Sequence, residues 1–548
     1  MTPNTHHERE REGYHGAPGR AEPGTRRHRR GAGRGRRAGG GAVRGRADRR
    51  QRVAGGGGRR LQIDFTPAWL KNFAISEFGA DDKLVLVGGI LLALGVFAAV
   101  IGAAATRRMA YGMAGVAVFA VVGLTAAATR PDATVASLLP TLAATATAVA
   151  VLQLLIPMVR PPVIPASRAV SYDPVTASDQ AEKRSETEPG GPEGPRRRRF
   201  LMAGAATAGI AAGAGLAGRL LTERSSVAGV QKSLRIPRSS LPSQALPPGV
   251  DLHIPGLTPF VTPNGSFYRV DTALVLPQVN PSSWQLRIHG MVSREITLTF
   301  DQLIKRPLIE DYITLCCVSN PVDGPYIGNA KWLGASLAAV LREAGIKAGA
   351  DQLLCTSVDG FTSGTPVQTV MDGRDALLAV AMNGQPLPVA HGFPARMAVP
   401  GLYGYVSATK WVTDIEVTTF AGNYAFWAQR GWSQRAPVKT ECRIDVPNGR
   451  EEIRAGTTAV AGVAWAQHKG IEAVEVRVDR GPWQEARLAA VPGLDTWRQW
   501  VWEWQAASGP HVLEARATDK TGYTQTAVVA PPEPDGATGY PMVSVAVR

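Results

Sequence analysis

The chain has 548 residues, 45% of them apolar, and a formal charge of +15; its length allows two to four domains. Residues 1–60 hold 17 Arg, no Lys and 5 acidic residues, a net +12, which leaves about +3 for the other 488. The folded part is therefore nearly neutral, which excludes an extended basic face and argues against a nucleic-acid partner.

Segment 1–60 is rich in Arg and Gly, lacks apolar periodicity and cannot bury a core, so it is expected to be disordered. Runs such as RRGAGRGRRAGGGAVRGR also fit translation from a wrong start. Four uncharged stretches follow, at 84–105, 109–129, 133–159 and 200–218. Each is long enough to cross ~30 Å of hydrocarbon as a helix, so 84–159 is read as three transmembrane helices. Arg107 and Arg108 place the first gap in the cytoplasm, and Arg160 returns the chain there after the third span. Segment 160–199 is then a cytoplasmic linker, rich in Pro, Glu and Ser. A fourth helix, within 200–221, carries the chain outward. It follows Arg197-Arg198-Arg199-Phe200-Leu201, the arrangement of a twin-arginine export signal, although ordinary positive-inside anchoring accounts for the same arginines. The expected location is the cell membrane, multi-pass, with everything after about residue 222 outside. The Arg-rich start also falls outside in this scheme, against the charge rule; one more preceding span would return it.

Residues 222–250 read as a Ser/Pro-rich linker. From 251 to 435 strands and helices mix, as in an α+β domain. WQLRIHGMV (284–292) alternates like a strand, GASLAAVLREAG (334–345) has helical spacing, and RDALLAVAMNG (374–384) reads as a second helix ending at Gly384. From 440 to 548 short alternating runs are separated by turn signals at 479–482 and 519–522, which predicts an immunoglobulin-like β-sandwich. The fold class is thus multi-domain: transmembrane helices, an α+β domain and a sandwich.

The four cysteines are Cys316, Cys317, Cys355 and Cys442. Cys316 and Cys317 end a strand-like run and point to opposite faces, so one can enter a core while the other meets a pocket. Metal binding or catalysis, a disulfide and a buried apolar role are all open on the residues alone.

TLCCVSN resembles the Thr-Leu-x-Cys-x-x-Asn segment of the sulfite oxidase family of molybdopterin enzymes, with Thr314, Leu315, Cys317 and Asn320 in register. FYRVDTALVLPQVNPSSWQLRIHG (267–290) resembles the family's opening, with Arg269 at its pterin-pocket arginine. HGFPARMAVPGLYGYVSATKWV (391–412) is similar to the family's most specific stretch, and Asp359 in SVDGF matches an acidic residue near the pterin. The resemblance covers roughly 255–545. It implies a molybdenum–molybdopterin cofactor with Cys317 as metal ligand. It implies cofactor contacts from Arg269, Asn320, Asp359, His391, Arg396 and Lys410, and a sandwich that dimerises the protein. Lys410 sits one residue later than in the animal enzymes. Arg, Lys and His suit a phosphate-bearing pterin, and sulfur ligands suit molybdenum.

Two departures stand out. Val322 occupies the place of a substrate-holding Arg, and Trp432 that of an active-site Tyr, so Trp432, with Cys317 and Arg269, joins the candidate catalytic set. Burying a dianion without those polar groups is costly. A less charged oxo-donor or oxo-acceptor, such as a sulfoxide or N-oxide, is expected, with Trp427 and Trp432 as an aromatic wall. No histidine lies in a span, so the spans offer no bis-histidine haem site; no haem is expected, and electrons pass to a separate partner. The main reading is a membrane-anchored oxidoreductase in contact with lipid. Its rivals are a sulfoxide or N-oxide reductase with the same cofactor, and a non-enzymatic scaffold.

Overall fold

The computed structural model describes residues 82–128, 138–159, short pieces between 198 and 213, and 226–548 except 274, 450 and 451. Segment 1–60, the linker 160–199 apart from Arg198, and most of the fourth apolar stretch lie outside the described residues.

The first described elements are the helices α1 (Asp82–Arg107), α2 (Met109–Ala128) and α3 (Leu139–Val159). Among the described residues these three are long and apolar enough to cross a membrane. Leu91, Leu92, Val121 and Val122 are exposed on their surfaces. Small residues set the helix contacts: a Cβ at Gly112 would stand 2.5 Å from Ala105 Cβ, and one at Gly123 2.8 Å from Thr141 Cγ2.

The next region forms β1 (Gln285–Gly290), β2 (Ile296–Thr299), β3 (Leu308–Cys316), β4 (Ile327–Ser336), β5 (Gln352–Ser357) and β6 (Thr362–Pro366). It continues with β7 (Leu377–Met382), β8 (Gln385–Pro386), β9 (Arg396–Ala398) and β10 (Val412–Thr418). One sheet has the order β2-β1-β10-β5-β6, with β1 and β10 parallel. The other runs β3-β4-β7-β8, with β9 added alongside β7. Helix α4 (Leu337–Ala344) starts at Ser336, whose hydroxyl accepts from Ala339 N–H, and stops at Gly345 with φ 71°. A core between the sheets takes Leu286, Ile288 and Leu353 from the first, Leu378 and Val380 from the second, and Leu337, Val340 and Leu341 from α4.

The helix expected at 374–384 is a strand. In β7 every residue is buried: Leu378 and Val380 enter the inter-sheet core while Leu377 and Ala379 enter a second cluster with Ile313, Leu315 and Trp332. A strand covered on both faces reads as a continuous apolar run, without the alternation that marks a half-exposed one.

The C-terminal lobe contains β11 (Glu441–Val446), β12 (Glu452–Ile453), β13 (Gly456–Trp465), β14 (Ile471–Val478) and β15 (Gln484–Glu485). It continues with β16 (Arg487–Leu488), β17 (Arg498–Ala506), β18 (Gly509–Asp519) and β19 (Met542–Val547). Two sheets, β11-β13-β17-β16 and β12-β19-β18-β14-β15, share a core that includes Ile444, Val460, Trp500, Val474, Leu513 and Val545. The lobe also braces β3. Thr314 N–H donates to Asp495 C=O (2.9 Å), Trp497 N–H to Thr314 Oγ1 (2.7 Å), and Gln467 Nε2 to Thr314 C=O (3.1 Å).

Candidate active site

β3 ends at Cys316, whose side chain belongs to the inter-sheet core. Cys317 is the first residue of the following loop and is 8% exposed. All four cysteines are free and buried. Burial pushes the Cys317 thiol up; hydrogen bonds with Ser319 and the Lys410 ammonium partly offset this.

Beside it lies a cradle of cations. Lys410 Nζ donates to Asp271 Oδ2 at 3.0 Å, and Arg269 Nε donates to the same oxygen at 2.9 Å. Arg396 starts β9 and is 4% exposed. Its guanidinium meets only carbonyls in its hydrogen bonds: His391 (3.1 Å), Met397 (3.2 Å) and Ala408 (3.3 Å). The Trp332 ring lies 4.9 Å from its Cζ, in cation–π contact. Burial lowers Arg396 from 12.5 to about 10. Burial also lowers Lys410 to about 8, with Asp271 pulling it back and Arg396 and Arg269 pushing it further.

His391 closes the short turn Val389–His391 and is 4% exposed. Its Nε2 bonds the Asn264 carbonyl at 3.1 Å, and its Nδ1 is buried without a partner. Burial, then Arg396 and Lys410, lower it from 6.5 to about 4, so the ring is neutral at pH 7. Phe267 packs edge-on against His391 (5.6 Å) and Trp332 (5.8 Å).

Asn320 sits in the Cys317 loop. Its Oδ1 accepts from Tyr326 N–H at 2.7 Å, and its Nδ2 is buried without a partner. Asp359, at the β5–β6 turn, accepts from Phe361 N–H (3.2 Å) and from Thr272 Oγ1 (3.3 Å), which joins it to the 269–272 segment. Trp432 is half-buried in an aromatic group, 6.0 Å from both Tyr405 and Trp427. Tyr405 follows Gly404, where a Cβ would stand 3.5 Å from the Cys316 carbonyl and 3.6 Å from Tyr268 Oη. Val322 faces the C-terminal lobe: a Cβ on Gly539 would lie 3.6 Å from its Cγ2.

Sequence reading missed Tyr268, Asp271 and Trp332. Burial raises the Tyr268 hydroxyl well above its usual range, and the Cys317 and Cys316 thiols add to the shift. Asp271 stands two residues from Arg269, so this ion pair is local and could have been found from the sequence. Nothing in the sequence marks Trp332 as the platform under Arg396.

Lys410 and Arg269 share one carboxylate here, among the described contacts, and Arg396 stands near enough to Lys410 to repel it. Arg396 has no acidic partner, and His391 Nδ1 and Asn320 Nδ2 are unused buried polar atoms. A buried cation without a counter-charge is costly unless an anion arrives. The donor set therefore fits a phosphate-bearing group, and Cys317 offers it a sulfur ligand.

A model of the oxidoreductase molybdopterin binding domain matches residues 273–427. That range includes Cys317, Asn320, Asp359, His391, Arg396 and Lys410; Arg269 and Trp432 lie just outside it. Mouse mitochondrial sulfite oxidase is 29% identical over 327 residues, which cover 50% of this chain and 58% of that protein. Chicken sulfite oxidase is 30% identical over 290 residues, 44% of this chain and 62% of that one. The chain thus spans little more than half the length of the sulfite oxidases it matches. The Bacillus subtilis (strain 168) uncharacterized oxidoreductase YuiH is 30% identical over 154 residues, 28% of this chain and 74% of its own length. Among solved structures, the sulfane dehydrogenase SoxCD from Paracoccus pantotrophus aligns with 53% of this chain and 84% of its own, at 22% identity and a TM-score of 0.46. A bacterial oxidoreductase matched over most of its length, and a molybdopterin-domain model laid across the cation cradle, lead to one assignment: the chain belongs to the sulfite oxidase family of molybdopterin-dependent oxidoreductases.

Proposed function

We propose that the protein is a membrane-anchored oxidoreductase, facing outward, that moves an oxygen atom to or from a small substrate at a molybdenum ligated by Cys317. As a family member it is an enzyme with a molybdenum cofactor, a small-molecule substrate and an electron partner. Family membership removes the scaffold reading. When bound, the cofactor supplies oxygen-atom transfer and two-electron redox chemistry. The chain's own residues do the rest. Cys317 would hold the metal as a thiolate, the ion's charge offsetting the burial that otherwise keeps the thiol protonated. Arg396, Lys410 and Arg269 would hold the anionic end of the pterin, and Asp271 orients the last two. His391 Nδ1 and Asn320 Nδ2 are free to hydrogen-bond the bound group, and Asp359 fixes the 269–272 segment through Thr272. Tyr405, Trp427 and Trp432 limit water on the substrate side.

The observation that carries this reading is the group of Arg396, Lys410 and Arg269, three cations with Asp271 as their one ion-pair partner among the described contacts, next to a buried free thiol. The test is metal analysis of the purified chain with a substrate panel of sulfite, nitrate, sulfoxides and N-oxides, using dye donors and acceptors. A chain without molybdenum, or a loaded chain inert in both directions, would overturn it.

A second reading, a sulfoxide or N-oxide reductase, rests on the sequence departures at positions 322 and 432, where Val and Trp stand in place of an Arg and a Tyr. The C-terminal lobe is proposed to be an immunoglobulin-like sandwich that pairs two copies; a monomer by light scattering removes the pairing. The anchor reading rests on the exposed apolar surfaces of α1–α3. Export by a twin-arginine route rests on Arg197-Arg198-Arg199. Replacing Arg197 and Arg198 with Lys keeps the charge but removes the guanidinium fork, so it should hold the catalytic domain inside the cell. Undiminished protease exposure of that domain in spheroplasts removes the export reading.

A further inference from the structure

The loop after Cys317 is held from the other lobe. Within the loop, Cys317 N–H donates to the Tyr326 carbonyl (2.9 Å), Tyr326 N–H to Asn320 Oδ1 (2.7 Å), and Gly324 N–H to the Pro321 carbonyl (2.9 Å). Position 324 has no room for a side chain, since a Cβ there would stand 2.5 Å from both Asn320 Oδ1 and Pro321 Cδ. These contacts close the loop on itself.

The tie to the C-terminal lobe comes from β11. Arg443 is 9% exposed. Its Nη1 donates to the Gly324 carbonyl at 2.9 Å, its Nη2 to Thr258 Oγ1 at 2.9 Å, and its Nε to Asp445 Oδ1 at 2.6 Å. Asp445 in turn accepts from Thr258 N–H at 3.0 Å. One planar fork thus joins three segments, a task a lysine ammonium does not reproduce. The next residue adds a second tie: Ile444 N–H donates to Asp323 Oδ1 at 3.0 Å. Asp323 holds a φ of 64°, a left-handed conformation uncommon outside glycine but one that Asp adopts more readily than most residues.

We propose that Arg443 and Asp323 form a clamp through which the C-terminal lobe positions the Cys317 loop, which makes Arg443 a positioning residue for the metal-ligating thiol. The inference rests on the reading of Cys317 as that ligand. It predicts that the ligand's placement depends on a residue outside the molybdopterin-domain match. Loosening the clamp should open the loop locally while the two cores stay packed.

The test uses the full chain. In cofactor-free protein the alkylation rate of Cys317 by iodoacetamide is followed by mass spectrometry, with fragment sequencing to separate it from Cys316. Arg443→Met keeps the apolar stem and removes every donor. The expected result is labelling of Cys317 at least tenfold faster than in the unmodified chain, with a smaller rise for Asp323→Ala. In loaded protein Arg443→Met should shift the g-values of the Mo(V) EPR signal. Folded Arg443→Met and Asp323→Ala proteins that label at the unmodified rate would overturn the clamp, and so would an unshifted EPR signal. If Arg443→Met does not fold, the labelling rate of Asp323→Ala decides by the same criterion. The labelling needs no molybdenum, so its failure is distinct from a failure of the ligand assignment, which would appear as full metal binding by Cys317→Ser.

Discussion

Arg396→Met probes the cradle at its least balanced point. In the folded chain burial lowers the Arg396 guanidinium from 12.5 to about 10. The shift corresponds to roughly 3 kcal/mol spent keeping the cation inside. Because the folded-state value is the lower one, this cost is present at every pH below about 10 and is relieved only above it. On the other side stand hydrogen bonds to the carbonyls of His391, Met397 and Ala408, and the Trp332 ring at 4.9 Å. At about 1 kcal/mol for each of these contacts they sum to about 4 kcal/mol. The two sides nearly cancel in cofactor-free protein. Methionine, apolar and unbranched, should therefore change its stability by no more than about 2 kcal/mol in either direction. The bound form is different, since there the guanidinium gains an anion at low dielectric. Losing that contact should cost about 3 kcal/mol, on the order of a hundredfold in cofactor retention. Urea unfolding of cofactor-free protein gives the first quantity, and molybdenum and pterin content after gel filtration gives the second. An Arg396→Met protein that keeps its full cofactor would refute the reasoning. So would a drop of 4 kcal/mol or more without cofactor, which would make Arg396 a structural strut.

Three further outcomes are expected. Cys317→Ser should lose molybdenum and activity while Cys316→Ser, whose side chain is in the core, keeps most of both; parallel metal analyses decide, and equal retention sinks the ligand assignment. His391 is neutral when folded and protonates when unfolded, so it lowers stability as pH falls from 6.5 toward 4, by up to roughly 3 kcal/mol. His391→Gln should remove that part of the pH dependence, read as the difference between variant and unmodified unfolding free energies at pH 7 and pH 4.5; an unchanged difference contradicts it. Sulfite should be a poor substrate in a dye-acceptor assay; micromolar sulfite affinity in the unmodified chain would show that other groups hold the anion.

Most of the candidate site could be read from sequence because its residues fall in short, ordered motifs. Cys317 follows a strand that the sequence marks clearly, and His391, Arg396 and Lys410 come within twenty residues of each other. What could not be read were the partners. Asp271 organises Lys410 and Arg269, yet Lys410 lies 139 residues away along the chain. Trp332 and Tyr268 act through packing and leave no chemical signature in the sequence. Asn320 was expected as a cofactor contact, and half of its amide is occupied in closing its own loop, an arrangement only three-dimensional geometry reveals. The β7 error has a different origin. Local periodicity reports how many faces of an element are wet, and β7 has none.

The division of labour between the lobes follows from the same physics. Short alternating strands made the two-sheet character of the C-terminal lobe readable, although the second half of β13 is buried on both faces. No motif or periodicity marks this lobe as reaching into the other. Trp465 and Trp497 belong to the core of the molybdopterin lobe although they come from β13 and from the segment before β17. Trp497 Nε1 donates to the Phe260 carbonyl at 2.8 Å, and Trp497 N–H holds Thr314, three residues before Cys317. A buried tryptophan brings a large apolar surface and one donor that needs a partner, so it fixes orientation as well as proximity. Each such contact spans more than 180 residues of sequence, so closing it depends on both lobes having folded. The strand that presents the cysteine is therefore held on one side by its own sheet and on the other by a lobe outside the matched domain. The segment leading to Cys317 is thus fixed by contacts from both lobes.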